Sequence, residues 1–142
     1  MGREKIRGVA LIVNNPRGEI LILKEFKDKP HLGKYAGMFS IPMETLETQE
    51  DDISALIRLI EEELPGFGAR IQLEPRSIGH YRIAEDAWAR LYLASVPDCS
   101  LPDAVEDGEV GDYKWIVPTE ALSLWLRQGA KDIIQDYITT LL

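Results

Sequence analysis

The chain has 142 residues, 45% hydrophobic and 28% charged, which suits a single domain over 1–142 with enough apolar side chains to bury a core. Its 24 acidic and 16 basic residues give a net charge of −8, which argues against a protein that grips a nucleic-acid backbone but not against a nucleotide whose charge a cation neutralises. No apolar run approaches membrane-spanning length and MGREKIRG has no long apolar h-region, so neither a span nor a secretory signal is expected, and the cytoplasm is the default location.

Residues 8–13, GVALIV, are a continuous apolar run suited to a central strand, and NNPRG at 14–18 supplies a turn into a second strand over 19–24. The polar stretch 25–38 carries Pro30, Gly33 and Gly37, and Lys24, Lys27, Lys29, His31, Lys34 and Tyr35 lie in or beside it. Its lysines are either solvated or placed to meet substrate phosphates. Phe39-Ser40-Ile41-Pro42 reads as a short strand. A helix is expected from about residue 51 to 64, because Ile53, Leu56, Ile57, Ile60 and Leu64 recur at three- and four-residue spacing. Thr48, three residues before Asp51, is the expected cap, and Pro65 and Gly66 stop the helix. The opposite face is predicted to carry Leu59, Glu62 and Glu63, with Arg58 one turn before Glu62 and able to pair with it.

Beyond the helix, 69–73 reads as a strand, and 77–83 and 87–96 as two antiparallel strands joined around Glu85-Asp86. Trp88, Leu91 and Leu93 differ in parity, which predicts apolar contacts on both faces or a bulge. Tyr81, Trp88 and Tyr92 are either core residues or a platform for a nucleobase. The acidic linker 97–111 contains the unpaired Cys99, read as a buried or incidental thiol, together with Glu106, Asp107 and Glu109. A final strand is expected over 112–117, a helix from Pro118 to about 128, and after Gly129 a second helix over 131–142 with Ile133, Ile134, Tyr137, Ile138 and Leu141 on one stripe.

Between Met43 and Leu64 lie Glu44, Glu47, Glu50, Asp51, Asp52, Glu61, Glu62 and Glu63 against the single Arg58. Clustered carboxylates repel unless compensated, and a hard divalent cation that prefers oxygen ligands and bridges to phosphates is the natural compensator. A solvated acidic helix face is the alternative.

The segment resembles the Nudix box, GX5EX7REUXEEXGU, where U is aliphatic. Anchored on Arg58, the pattern places Glu50 on its first glutamate, Ile60 on the aliphatic position, and Glu62 and Glu63 on the glutamate pair, without a gap. Glu44 stands where the box has its first glycine, Leu59 where it has the glutamate after arginine, and Pro65 where it has the later glycine. The resemblance implies an α/β/α sandwich with a mixed sheet, the box helix on one side and the C-terminal helices on the other. It also implies a Mg²⁺- or Mn²⁺-dependent hydrolase that cleaves a phosphoanhydride in a nucleoside diphosphate linked to another group. Glu62 and Glu63 would hold metal with Glu50 assisting, Glu63 and Arg58 would be the catalytic residues with Arg58 orienting Glu62, and water would attack phosphorus.

Leucine at 59 can neither hold a cation nor activate water, so the resemblance also implies a second class, a binding or assembly module of the same fold that does not turn over substrate. Glu106, Asp107 or Glu109 could supply what Leu59 withholds, or simply line a solvent loop. The expected partner is a nucleotide-like small molecule, with no nucleic acid or membrane; a homodimer is the family's habit.

Overall fold

The computed structural model describes residues 6–104 and 106–141. The sequence expectations for residues 1–5 and Leu142 lie outside the described residues. The elements are β1 (Ile6–Asn14), β2 (Ile20–Glu25), β3 (Phe39–Ser40), β4 (Met43–Thr45), α1 (Asp52–Glu63), β5 (Gln72–Leu73), β6 (Gly79–Ala84), β7 (Ala87–Ser95), β8 (Val110–Ile116), α2 (Pro118–Ala121) and α3 (Ala130–Leu141).

β1 is apolar at successive positions because both of its faces are covered. Val9, Leu11 and Val13 join Leu21, Tyr92, Ala94 and the inner face of α1 in one core, whereas Ala10 and Ile12 join Ile20, Ile22, Leu91 and α3 in the other. The sheet is therefore sandwiched between α1 and α3, as the sequence predicts. It is mixed: β1 runs parallel to β7 along its whole length, and the other pairings are antiparallel. Leu91 and Leu93 face the α3 side and Tyr92 the α1 side, so the strand has apolar contacts on both faces, and its pairing with β6 also shifts register beside Trp88, between Arg82 and Ala84.

The opening hairpin closes only at its turn, where Asn14 pairs with Ile20. Beyond it β2 turns away to pair with β8 and β3, and β4 pairs with β1 in its place, Gly8 opposite Thr45 and Ala10 opposite Met43. Gly8 permits this approach, since a Cβ there would lie 2.9 Å from the carbonyl oxygen of Glu44. The splay of β1 from β2 thus seats residue 44 within the sheet.

Helix α1 corrects the sequence reading in two respects. Its N-cap is Asp51, whose side chain accepts from the amide of Ser54 at 2.8 Å, so Thr48 is not the cap. Its buried face consists of Ala55, Leu56, Leu59 and Ile60, while Ile53 and Ile57 are 38% and 50% exposed. Leu59, expected beside Glu62 and Glu63 on the outer face, is 0% exposed and belongs to the core. Leu59→Ala is accordingly expected to cost about 2–5 kcal/mol of stability, measured by urea unfolding. A cost below about 0.5 kcal/mol, the level of a surface change, would contradict this packing.

The helix expected from Pro118 to about 128 ends at Ala121. The chain leaves it to form a short parallel bridge with β3, in which Trp125 accepts from the amide of Phe39 at 2.7 Å and Phe39 from that of Arg127 at 2.8 Å. The strand expected over 69–73 is restricted to β5. Cys99 is exposed rather than buried.

Candidate functional site

Arg58, on the rim of α1, organises the acidic segment before the helix. It donates to both oxygens of Glu50, from Nη2 at 2.8 Å and Nε at 3.2 Å, and from Nη2 to the carbonyl of Thr45 at 2.8 Å. Glu50 in turn accepts from the amide of Glu47 at 2.9 Å. The Arg58 hydrogen bonds, then the Glu47 amide, hold the Glu50 carboxyl below its ordinary range. Glu62, the partner expected for Arg58, lies 3.8 Å from Nη1 and is 59% exposed. The guanidinium therefore staples the β4–α1 loop to the helix more firmly than it orients Glu62.

Glu63 points the other way, inward. Burial first, then the nearby charge of Glu44, pushes its carboxyl well above the ordinary range. Its Oε2 is buried and has no hydrogen-bond partner among the described residues. Its backbone carbonyl accepts from the hydroxyl of Tyr113, whose own pKa is pushed up to about 12, chiefly by burial and then by Glu63.

Glu63 lines a cavity of about 170 Å³ with Glu44, Glu109, Lys29, Lys34 and Arg127. A smaller adjoining cavity of about 120 Å³ is bounded by Glu44, Glu62, Glu63 and Glu109. Each of the three cations has a partner, and Lys34 stands 3.7 Å from the buried carboxylate of Glu25. Lys29 holds Glu109 at 2.7 Å, a bond that keeps the Glu109 carboxyl low. Arg127 reaches in from beyond α2, 3% exposed, with Nη2 donating to the carbonyl of Leu32 at 2.9 Å. Its Nε is buried without an acceptor among the described residues.

Of the sequence candidates, Glu63, Glu62 and Glu109 converge on this place, Glu50 is bound to Arg58, and Leu59 is in the core. Glu44, Lys34 and Arg127 were not singled out as a group in the sequence. Lys34 belongs to the basic stretch 25–38, but no local signal marks Arg127, 93 residues further along the chain. Glu106 and Asp107 line neither cavity.

The NUDIX domain model matches residues 4–137. The chain belongs to the NUDIX domain family. No curated protein matches it by sequence, but solved NUDIX structures share its fold. A Caenorhabditis elegans Ap4A hydrolase in a binary complex superposes with a TM-score of 0.70 at 15% identity, covering 96% of this chain and 97% of that one. The Escherichia coli ORF135 protein gives 0.64 at 23% identity, covering 94% and 89%. The NUDIX domain of Shewanella oneidensis NrtR, crystallised with ADP ribose, gives 0.63 at 14% identity, covering 99% and 91%. At these identities the likeness is one of fold.

NUDIX hydrolases generally use divalent metal ions, and the cavity fits such an ion in a restricted way. Among the described residues no three carboxylate, imidazole or thiolate groups converge into a complete ligand shell, so an all-protein cage is not built. The buried, unpartnered Oε2 of Glu63 is nonetheless a hard oxygen donor without a donor hydrogen bond to satisfy it. That suits an ion held by one or two carboxylates and completed by water and substrate phosphate, the usual habit of Mg²⁺.

Proposed function

We propose that this NUDIX protein hydrolyses a phosphoanhydride bond in a nucleoside diphosphate linked to another group, in the cavity between Glu63 and Arg127. The observation that carries this reading is a pair of buried, unsatisfied groups of opposite kind in one cavity, Glu63 Oε2 and Arg127 Nε. Leaving each unmatched costs stability. The carboxylate oxygen asks for a cation and the guanidinium N–H for an anionic oxygen, so a metal-bound phosphate is the ligand class that satisfies both.

In this reading Lys34 and Arg127 grip oxygens of the anhydride, with Lys29 at the rim, and hold the reacting phosphorus away from bulk water. Glu63 would hold the ion and take a proton from the attacking water, which adds to one phosphorus as its bond to the bridging oxygen breaks and the other phosphoryl group leaves with that oxygen as a phosphomonoester. Arg58 is a positioning residue that fixes the β4–α1 loop through Glu50. A bound Mg²⁺ or Mn²⁺ would supply Lewis-acid polarisation of the phosphoryl oxygens. The burial of Leu59 favours the second reading, a module that binds such a nucleotide without turning it over.

The test is nucleotide or phosphate release from a panel of nucleoside triphosphates, ADP-ribose, dinucleoside polyphosphates and nucleotide sugars, with Mg²⁺, with Mn²⁺ and with EDTA. Turnover that disappears on chelation is the expected result. No turnover across the panel by folded protein would sink the hydrolase reading in favour of the binding module.

A further inference from the structure

Glu44 occupies a position from which its side chain reaches the same cavities as Glu63. It lies on β4, fixed by the pairing of that strand with β1, and lines both the larger and the smaller cavity. The side chain is 22% exposed and sits 3.3 Å from Nη1 of Arg58, and it accepts from the amide of Thr45 at 3.1 Å. Both contacts use Oε1, and among the described residues Oε2 forms no hydrogen bond.

The neighbouring acids are differently committed. Glu50 has both oxygens on Arg58, Glu109 is held by Lys29, and Glu62 stands 59% exposed at the rim. Acids alone do not make a site. Here the cavity they share also contains the buried, unpartnered Oε2 of Glu63 and the unpartnered Nε of Arg127, a residue 3% exposed.

We infer that Glu44 and Glu63 are the two protein carboxylates that hold a divalent cation, with Glu44 supplying from a strand the charge that Leu59 cannot supply from the helix. The inference rests on the proposed function for the location of the cation and goes beyond it in the ligand set. Two carboxylates suffice for an ion that keeps several waters and binds substrate phosphate. The two departures at 44 and 59 are then complementary: one acid is missing from the face of α1 that packs on the sheet, and one is added on the strand beneath the end of that helix. A cation between them would also relieve the repulsion between Glu44 and Glu63.

The test is Mn²⁺ binding to the full chain without nucleotide, read by electron paramagnetic resonance and by titration calorimetry. The proteins are wild type, Glu44→Gln, Glu63→Gln and Glu109→Gln. Wild type is expected to bind, with Kd weakened roughly tenfold or more in Glu44→Gln and in Glu63→Gln, at least what losing an outer-shell partner costs a metal site, and changed less than about threefold in Glu109→Gln. Thermal unfolding without metal checks that each variant is folded. Should Glu44→Gln not fold, Glu44→Asp keeps a charge beside Arg58 while withdrawing the oxygens, and its Mn²⁺ affinity is expected to fall.

Mn²⁺ lost in Glu63→Gln but held with unchanged Kd in the Glu44 variants overturns the inference and leaves the proposed function intact. Binding unchanged in all variants overturns the assignment of the ion to this cavity. Absence of turnover beside Mn²⁺ binding that needs Glu44 and Glu63 sinks the hydrolytic reading and supports the ligand set.

Discussion

Glu63→Gln is expected to reduce metal-dependent turnover by roughly 100- to 1,000-fold or more, the scale on which removing one preorganised electrostatic group from a reacting centre is felt. The same substitution should raise the thermal midpoint of the metal-free protein at neutral pH. Both effects have one cause, a carboxyl placed where its ionised form is penalised by burial and by Glu44. A raised pKa in the folded state means that the group's favourable contribution to stability is present in full below its ordinary value of 4.5 and is lost as pH rises through the folded value. Glutamine keeps the shape and never ionises. Wild type and variant should therefore unfold at similar temperatures at pH 4 and diverge as pH rises, the variant being the more stable. Calorimetric scans from pH 4 to 8 without metal check this, and equal midpoints throughout would mean that Glu63 is not held in an unfavourable charge state. Adding Mn²⁺ should narrow the gap, because only wild type retains the full anionic donor.

Arg127→Met is expected to destabilise the fold by roughly 3–5 kcal/mol, the cost of breaking a buried ion pair from one side. Glu25 is 2% exposed, Lys34 7% and Arg127 3%. Lys34 stands 3.7 Å and Arg127 3.9 Å from the Glu25 carboxylate. Burial outweighs the attraction for both partners, pushing the carboxyl of Glu25 up and the guanidinium of Arg127 down. The trio is therefore no stabilising device in itself.

Removing Arg127 alone would nevertheless leave Glu25 buried with Lys34 as its remaining cation and the carbonyl of Leu32 without its donor. Equilibrium urea unfolding measures the loss, and Glu25→Gln combined with Arg127→Met should recover a substantial part of it, since residues in one network do not contribute additively. A loss under about 1 kcal/mol, typical of an average substitution, would show that the arginine is not held as the structure describes. The stakes are functional as well as structural, because this network fixes the basic loop after β2 against the segment after α2, and so fixes where Lys29 and Lys34 stand.

The sequence alone determined what depends on near neighbours. The apolar run at 8–13 dictated a strand covered on both faces, Pro65 and Gly66 dictated the end of α1, and the unbroken spacing from Glu50 through Arg58 to Glu62 and Glu63 pointed to the NUDIX domain. The tertiary structure decided the rest. Helix α1 carries apolar residues on more than half its circumference, so its periodicity fits both the stripe through Ile53 and Ile57 and the one through Ala55 and Leu59. Only docking against Val9, Leu11 and Tyr92 chose between them and buried Leu59. The helix after Pro118 has no local stop at Ala121; it yields to a bridge with Phe39, far away in the chain. Glu44, Glu63 and Arg127 come to one cavity because β1 and β2 splay to admit β4 and because that bridge carries Arg127 back across the sheet. Spacing along a chain encodes the faces of single elements, whereas the convergence of a carboxylate on a strand, another on a helix and a guanidinium on a distant loop exists only once those elements have packed.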